Sequence, residues 1–446
     1  MRPKSSAWLV FWLVAVAQFM VVLDSAITNV ALPAIKESLN FDASTLQWVV
    51  TSYALTFGGF LLLGGRASDL FGHRRILMWG LGAFTFFSLL IGLSNSSAML
   101  IVLRAFQGVS AAFMSPAALS IVLITFAEGG KRNQALSYWT TISTGGATVG
   151  LLLGGLLTQY VGWRMNFFVN VPIGIGILVA MAKLLPAHDT TADHSELDLP
   201  GAVLVTAGLT LFVYVISQAP AWGWLSGMTI GSGSLAVALL ALFLWNESRQ
   251  KHPLMPLSIF TKRNVMGANI MMAPIMAGMF GMFFLISLYI QSVLNYSPLI
   301  AGLSFLPFPL ILGVLSTRVA PYVTKYGFKP FLIAGPVIVA ISMLWMVRLT
   351  VDGNYWVDIL PSIMLMPVGL AITFMPIMIA ATSGVAKDEA GLAAGLINTS
   401  QQMGGALGLA ILSSVAASVT AAHIAGGDGQ LAALVAGYDR AFLFGV

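Results

Sequence analysis

Thirteen apolar runs, each close to twenty residues or longer, divide this chain: roughly 8–32, 47–66, 76–93, 98–125, 136–158, 165–185, 199–218, 228–246, 265–292, 299–323, 331–349, 357–383 and 391–420. A helix needs about 20 such residues to cross a bilayer. The runs therefore predict an all-helical membrane protein with thirteen spans. A fourteenth run opens at "GYDRAFLFGV" and ends with the chain. About ten residues cannot cross, so the true C-terminus is expected to lie further on. Only 8% of residues are charged, against about 25% in soluble domains. Lipid, not water, must therefore face most of the surface, since it penalises charge. The basic start and apolar run of "MRPKSSAWLVFWLVAVAQFM" continue without a small-residue cleavage pattern, so this segment is expected to stay as the first span. There is no cysteine, which excludes a disulfide framework and a thiolate metal site.

Basic residues set the orientation. With the N-terminus in the cytoplasm, 16 of the 21 lysines and arginines fall on inner segments, Arg66, Arg74, Arg75, Lys131 and Arg132 among them. Lys36, Arg164, Arg348 and Arg440 fall outside, and Arg104 lies within a span. The net charge of +5 is thus spread over short loops. It reflects topology and predicts no nucleic-acid partner. The polar stretch "PAHDTTADHSELDLPG", residues 186–201, is expected to be a cytoplasmic linker with solvated acids. His73 and His423, in loops, are expected to be solvated as well.

The two ends of the chain echo each other. Asp69, Gly72 and Arg74 in "SDLFGHRR" align with Thr324, Gly327 and Lys329 in "VTKYGFKP" at an offset of 255. Gly108 aligns with Gly369 at 261, and Gly145-Gly146 with Gly404-Gly405 at 259. This predicts six helices, two inserted ones and six more, over 1–185, 186–264 and 265–446, the last helix incomplete. Similar halves in a membrane chain suggest a transporter with its site between them.

Of sixteen acidic residues, Asp24 is the one read as deep within a span, and Arg104 is its only basic counterpart. A charge at mid-helix costs about 2.5–3.5 kcal/mol on insertion scales, so such residues are functional or paired. At 1.5 Å per residue, Asp24 lies about 12 Å and Arg104 about 9 Å from the outer ends of their helices. Gln107 shares the face of Arg104. Thr28 and Asn29 follow Asp24 and serve either the site or helix packing. A proton-translocating respiratory subunit needs more midplane charges than this. No histidine cluster or nucleophile–base spacing indicates an enzyme or a metal site.

"GGRASDLFGHRR" (64–75) and "RAFQG" (104–108) resemble the loop and fourth-helix signatures of the major facilitator superfamily. "LDSAITNVALP" (23–33) and "WRMNFFVNVP" (163–172) resemble signatures of its fourteen-helix drug:proton antiporters. The fifth-helix antiporter motif is similar at Gly146, Gly150, Gly154 and Gly155, but Leu151 stands where that family has proline, which removes a bend. The resemblance implies the major facilitator fold: two six-helix bundles with two inserted helices. It places the first and fourth helices together, and Asp24 near Arg104. Burial and a nearby guanidinium push a carboxyl's protonation in opposite directions. Asp24 is then the proton-exchanging partner, since arginine stays charged; a permanent ion pair is the alternative. The resemblance also gives Asp69, Gly72, Arg74 and Arg75 as a conformational latch, beside plain charge anchoring.

Met272, Met276, Met279 and Phe283 follow helical spacing along one face of the ninth span. Methionine suits promiscuous apolar binding, and equally packing or lipid contact. Gln107, Asn269, Gln291, Asn398, Gln401 and Gln402 are the polar substrate candidates. The resulting expectation is a proton-gradient-driven exporter of amphipathic small molecules in the cytoplasmic membrane, without cofactor or metal and functional as a monomer. The alternative cargo is a lipid or endogenous metabolite.

Overall fold

The computed structural model describes residues 7–126, 130–184, 198–250, 253–254, 257–382 and 390–446. Most of the linker 186–201 and the loop holding Lys387 lie outside them. The described residues form fourteen principal helices and no strand. They are α1 (Ala7–Leu39), α2 (Trp48–Phe71), α3 (His73–Gly92), α4 (Ser97–Thr125), α5 (Gly130–Tyr160), α6 (Asn170–Leu184), α7 (Leu199–Trp222), α8 (Gly227–Arg249), α9 (Arg263–Leu288), α10 (Pro307–Tyr326), α11 (Lys329–Trp345), α12 (Leu360–Thr382), α13 (Ala390–Ala425) and α14 (Gln430–Phe444). Among the described residues, twelve helical segments are long and apolar enough to cross a membrane. α5, 31 residues long, carries the expected run 136–158. The thirteen runs expected from sequence therefore become twelve such spans plus α5. α14, with 15 residues, is a helix packed on α13.

Local chemistry sets the helix ends. Ser96 caps α4 by accepting from the Met99 N–H at 3.3 Å, and Ser226 caps α8 through the Thr229 N–H at 3.2 Å. Gly72 ends α2 at φ 94° and Gly327 ends α10 at φ 75°, a region that costs a side-chain-bearing residue. These two glycines were aligned by the sequence echo, so the same turn closes both helices. Asp198 departs from the expectation that the linker acids face water; the linker's other acids lie outside the described residues. It is 2% exposed, caps α7 by accepting from the Gly201 N–H at 2.9 Å and accepts from the Asn246 amide of α8. This fastens one end of the inserted hairpin.

Small residues bring helix backbones together, as is general in membranes. Gly146, Gly150 and Gly154 of α5 lie on α1. The arrangement recurs where Gly404 and Gly408 of α13 lie on Ala273 and Ala277 of α9. α5 is one continuous helix through Leu151, where the resembled motif would bend.

The first and last parts of the chain meet at the end that carries the α1–α2 loop. Ser287 Oγ donates to the Asn29 carbonyl at 2.9 Å, Gln291 Nε2 to the Val30 carbonyl at 3.2 Å, and the Leu299 N–H to Gln159 Oε1 at 3.3 Å. The inserted helix joins this closure. Buried Gln47 donates to Ser217 Oγ of α7 at 2.9 Å and accepts from Ser413 Oγ of α13.

Candidate functional site

Asp24 is bonded by α4 and α6, and groups of α2 and α3 complete the cluster around it. It is 0% exposed and Arg104 is 1% exposed. Arg104 Nη1 donates to Asp24 Oδ2 at 2.5 Å and to Gln107 Oε1 at 2.6 Å, and its Nε donates to the Val49 carbonyl at 3.0 Å. Asp24 Oδ1 accepts from Gln107 Nε2 at 3.0 Å and from Asn170 Nδ2 at 2.9 Å. Ser88 Oγ of α3 accepts from Gln107 at 2.8 Å and donates to the Phe84 carbonyl. The Tyr53 ring lies under the guanidinium, 4.4 Å from Cζ, a cation–π contact strengthened by desolvation. One buried charge therefore meets one buried charge, and each carboxylate oxygen has a hydrogen-bond donor. Removing one member of such a pair costs about 3–5 kcal/mol.

The site depends on α1 lying close to α5. A Cβ on Gly150 would come within 2.9 Å of the Leu23 carbonyl oxygen and 2.7 Å of the Ala26 Cβ. Gly154 faces Ile27 in the same way, while Gly155 faces Pro298 and Leu299. The antiporter-motif glycines thus divide between holding α1 and meeting the C-terminal half.

A cavity of about 380 Å³ lies between the two halves, on the other side of α1. Its walls include Val22, Ser25, Ala26 and Asn29 of α1, Leu151 of α5, Met276, Met279, Phe280 and Phe283 of α9, Phe308 of α10, Phe374 of α12, and Gln401 and Gln402 of α13. No charged residue is among its lining residues. Asp24 does not line it, although Ser25 next in sequence does. A monocationic cargo therefore does not reach Asp24 in this conformation.

Of the substrate candidates, Met276, Gln401 and Gln402 line this cavity. The rest lie elsewhere. Gln107 is 0% exposed and spent on Asp24, Arg104 and Ser88. Met272, one turn before Met276, is sealed in the packed core. Asn269 donates to the Val265 carbonyl and accepts from Ser400 Oγ. Gln291 belongs to the closure with Val30, and Asn398 is exposed. Thr28 donates to its own helix at the Asp24 carbonyl, whereas Asn29 reaches the cavity wall. Ser88 and Asn170 belong to the Asp24 site but carry no sequence signal beyond Asn170's place in "WRMNFFVNVP".

The residues expected to form the latch lie at the α2–α3 turn. The Asp69 side chain is 71% exposed, with His73 Nδ1 3.9 Å away. His73, expected to be solvated, is half-buried and bonded to Ser68 Oγ at 2.6 Å. Arg74 Nη2 donates to the Ala182 carbonyl at 3.4 Å, tying the turn to α6, while Arg75 is exposed. Exposed His423 pairs with Asp428 at 2.6 Å.

The family model described as Major Facilitator Superfamily matches residues 14–409. The chain is similar to the puromycin resistance protein pur8 of Streptomyces alboniger, 38% identical over 100% of this chain and 89% of that one. It is also similar to the cephamycin export protein CmcT of Amycolatopsis lactamdurans, 40% identical over 98% of this chain and 90% of that one. Among solved structures, a crystal structure of the peptide transporter POT in complex with sulfate superposes with a TM-score of 0.69 at 16% identity, over 98% of this chain and 95% of that one. That likeness extends to the fold alone. With the family model covering most of the chain and its helices arranged as above, this protein is a multi-pass member of the major facilitator superfamily, a transporter and not an enzyme.

Proposed function

We propose that this protein is a proton-coupled antiporter that exports apolar or amphipathic small molecules across the cytoplasmic membrane, with its N-terminus inside. The observation that carries the proposal is the juxtaposition of two unlike sites on one helix. One face of α1 holds the buried Asp24–Arg104 pair, and the next holds an uncharged cavity walled by Met276, Phe280 and Phe283. The lining suits cargo that gains from desolvation and flexible contact. Relatives named for puromycin, cephamycin and lincomycin support cargo of this general kind. A proton moving inward gains about 2.3 kcal/mol per 100 mV, enough to drive export of a neutral or monocationic molecule uphill.

The test is efflux of a panel of dyes and antibiotics into inverted membrane vesicles energised by a proton gradient. Uptake of several amphipathic members, abolished by collapsing the gradient, is the expected result. Uptake confined to phospholipid or to one metabolite would replace this cargo with the alternative one.

In this orientation the closure among Asn29, Gln291 and Gln47 is an outer gate, and Asp69 is a released inner latch. An inward-facing state is the result. Replacing Ser413 by alanine removes a bond to Gln47 that exists while the gate is shut. A buried hydrogen bond contributes about 0.5–1.5 kcal/mol net, so Ser413→Ala shifts the population toward outer opening by roughly 2- to 12-fold. Spin labels on cysteines placed at Asn40 and Asn295 will report it, because the chain has no native cysteine. The expected result is a longer distance distribution in the variant; identical distributions would remove the gate role.

A further inference from the structure

The Asp24 site is built for a charged carboxylate, and that raises a requirement for the protonated state. Both oxygens now accept: Oδ2 from Arg104, Oδ1 from Gln107 and Asn170. A neutral carboxylic acid must instead donate from one oxygen. The pocket is closed to solvent, with Asp24, Gln107, Ser88 and Asn170 each 0% exposed. The acid therefore needs an acceptor from the protein, and a buried hydroxyl without one is costly.

The occupied acceptors can be assigned in turn. Gln107 Oε1 already takes Arg104 Nη1 at 2.6 Å. The Val49 carbonyl takes Arg104 Nε. Ser88 Oγ accepts from Gln107. Two polar atoms of the site remain unpartnered, Asn170 Oδ1 and the Tyr53 hydroxyl. Asn170 already touches the carboxylate at 2.9 Å through Nδ2, and half a turn about its terminal torsion exchanges the two ends of the amide. Tyr53 stacks under the guanidinium instead of reaching Asp24 with its hydroxyl.

We propose that Asn170 is a positioning residue for proton exchange: its amide donates to charged Asp24 and, turned over, accepts the hydrogen of neutral Asp24. This rests on Asp24 being the coupling carboxyl. No bond breaks in the amide. The carboxylate gains one proton and the same side chain answers with its other end. The charged and ionisable groups facing Asp24 are Arg104 from α4 and Tyr53 from α2; Ser88 from α3 and Asn170 from α6 are neutral.

The experiment is infrared difference spectroscopy of the reconstituted full chain across a pH step, following the C=O stretch of protonated carboxyls. The band that disappears in Asp24→Asn identifies neutral Asp24. In Asn170→Leu and the milder Asn170→Ala it should shift to the frequency of an acid without an acceptor. Asn170→Ser, which keeps a donor and an acceptor, should restore it, and Tyr53→Phe should leave it in place. Gradient-driven transport should fall about tenfold in Asn170→Leu, the cost of one stranded buried group. A band unmoved by both apolar Asn170 variants, or moved by Tyr53→Phe instead, would overturn the assignment. If no band depends on Asp24, the coupling reading falls first and this one with it.

Discussion

Asp24→Asn is expected to abolish proton-driven accumulation in proteoliposomes while leaving cargo binding nearly unchanged. The split follows from the geometry. Asparagine fills the same volume and keeps one oxygen for Arg104, and its NH2 can donate to Asn170 once that amide turns over, so the helix contact survives without the ion pair. It removes the only group in the cluster able to take up a proton between two charged states of the site. The cavity wall does not include Asp24, so cargo affinity in this conformation has no direct dependence on its charge. Gradient-driven transport should drop by at least about 100-fold, comparable to the loss of a positioned proton-transfer group. Dye binding in detergent should change by less than about threefold, a difference of under 0.7 kcal/mol. Arg104→Ala should be worse for folding, because it leaves an unpaired buried carboxylate. Full gradient-driven transport in Asp24→Asn would assign the pair to helix packing.

The legible part of this protein is what the bilayer makes expensive. Charged Asp24 and Arg104 stand out in apolar runs because burying either is costly; their similar depths permit a pair, and the family resemblance, which places the first and fourth helices together, implies it. Gly72 and Gly327 stand out because their turns demand a backbone that other residues resist, and the structure gives both positive φ. Neutral polar residues carry no comparable signal. Ser88 and Asn170 complete the carboxylate cage, yet the same residue types elsewhere bond to their own helix backbone, as the Asn29 side chain does with the Ser25 carbonyl. Nor does helical spacing tell which part of a face meets a cavity. Met272 and Met276 lie one turn apart on α9, but the first is in the core and the second at the cavity. The gap between bundles opens along only part of the helix. Gln401 and Gln402 reach it, whereas Asn398, a turn earlier, is exposed elsewhere.

Substitutions along the glycine face of α5 should impair transport in an order set by the space each Cβ would enter. A Cβ at Gly145 meets nothing within 4 Å, at Gly146 it meets α1 at 3.3 Å, and at Gly150 it meets the Leu23 carbonyl at 2.9 Å and Ala26 at 2.7 Å. The last two atoms belong to the α1 backbone and to a side chain with no torsion to relieve the clash, so α1 itself must move. Overpacking of this kind costs about 1–3 kcal/mol. Leu23 precedes Asp24, so the displacement acts on the carboxylate and on its short contacts with Arg104 and Asn170. Gly145→Ala should therefore transport normally, Gly146→Ala should lose about twofold and Gly150→Ala about tenfold or more. Gly150→Leu should be inactive. The measurement is the initial rate of gradient-driven efflux at matched protein levels, with dye binding as a check on folding. If Gly145→Ala and Gly150→Ala lose activity equally, the effect is flexibility of α5, and close approach to α1 is not what these glycines provide. The ordered series would instead show that the missing proline at Leu151 leaves the essential contact intact, since the surface that seats Asp24 is made by the absence of side chains and not by a bend.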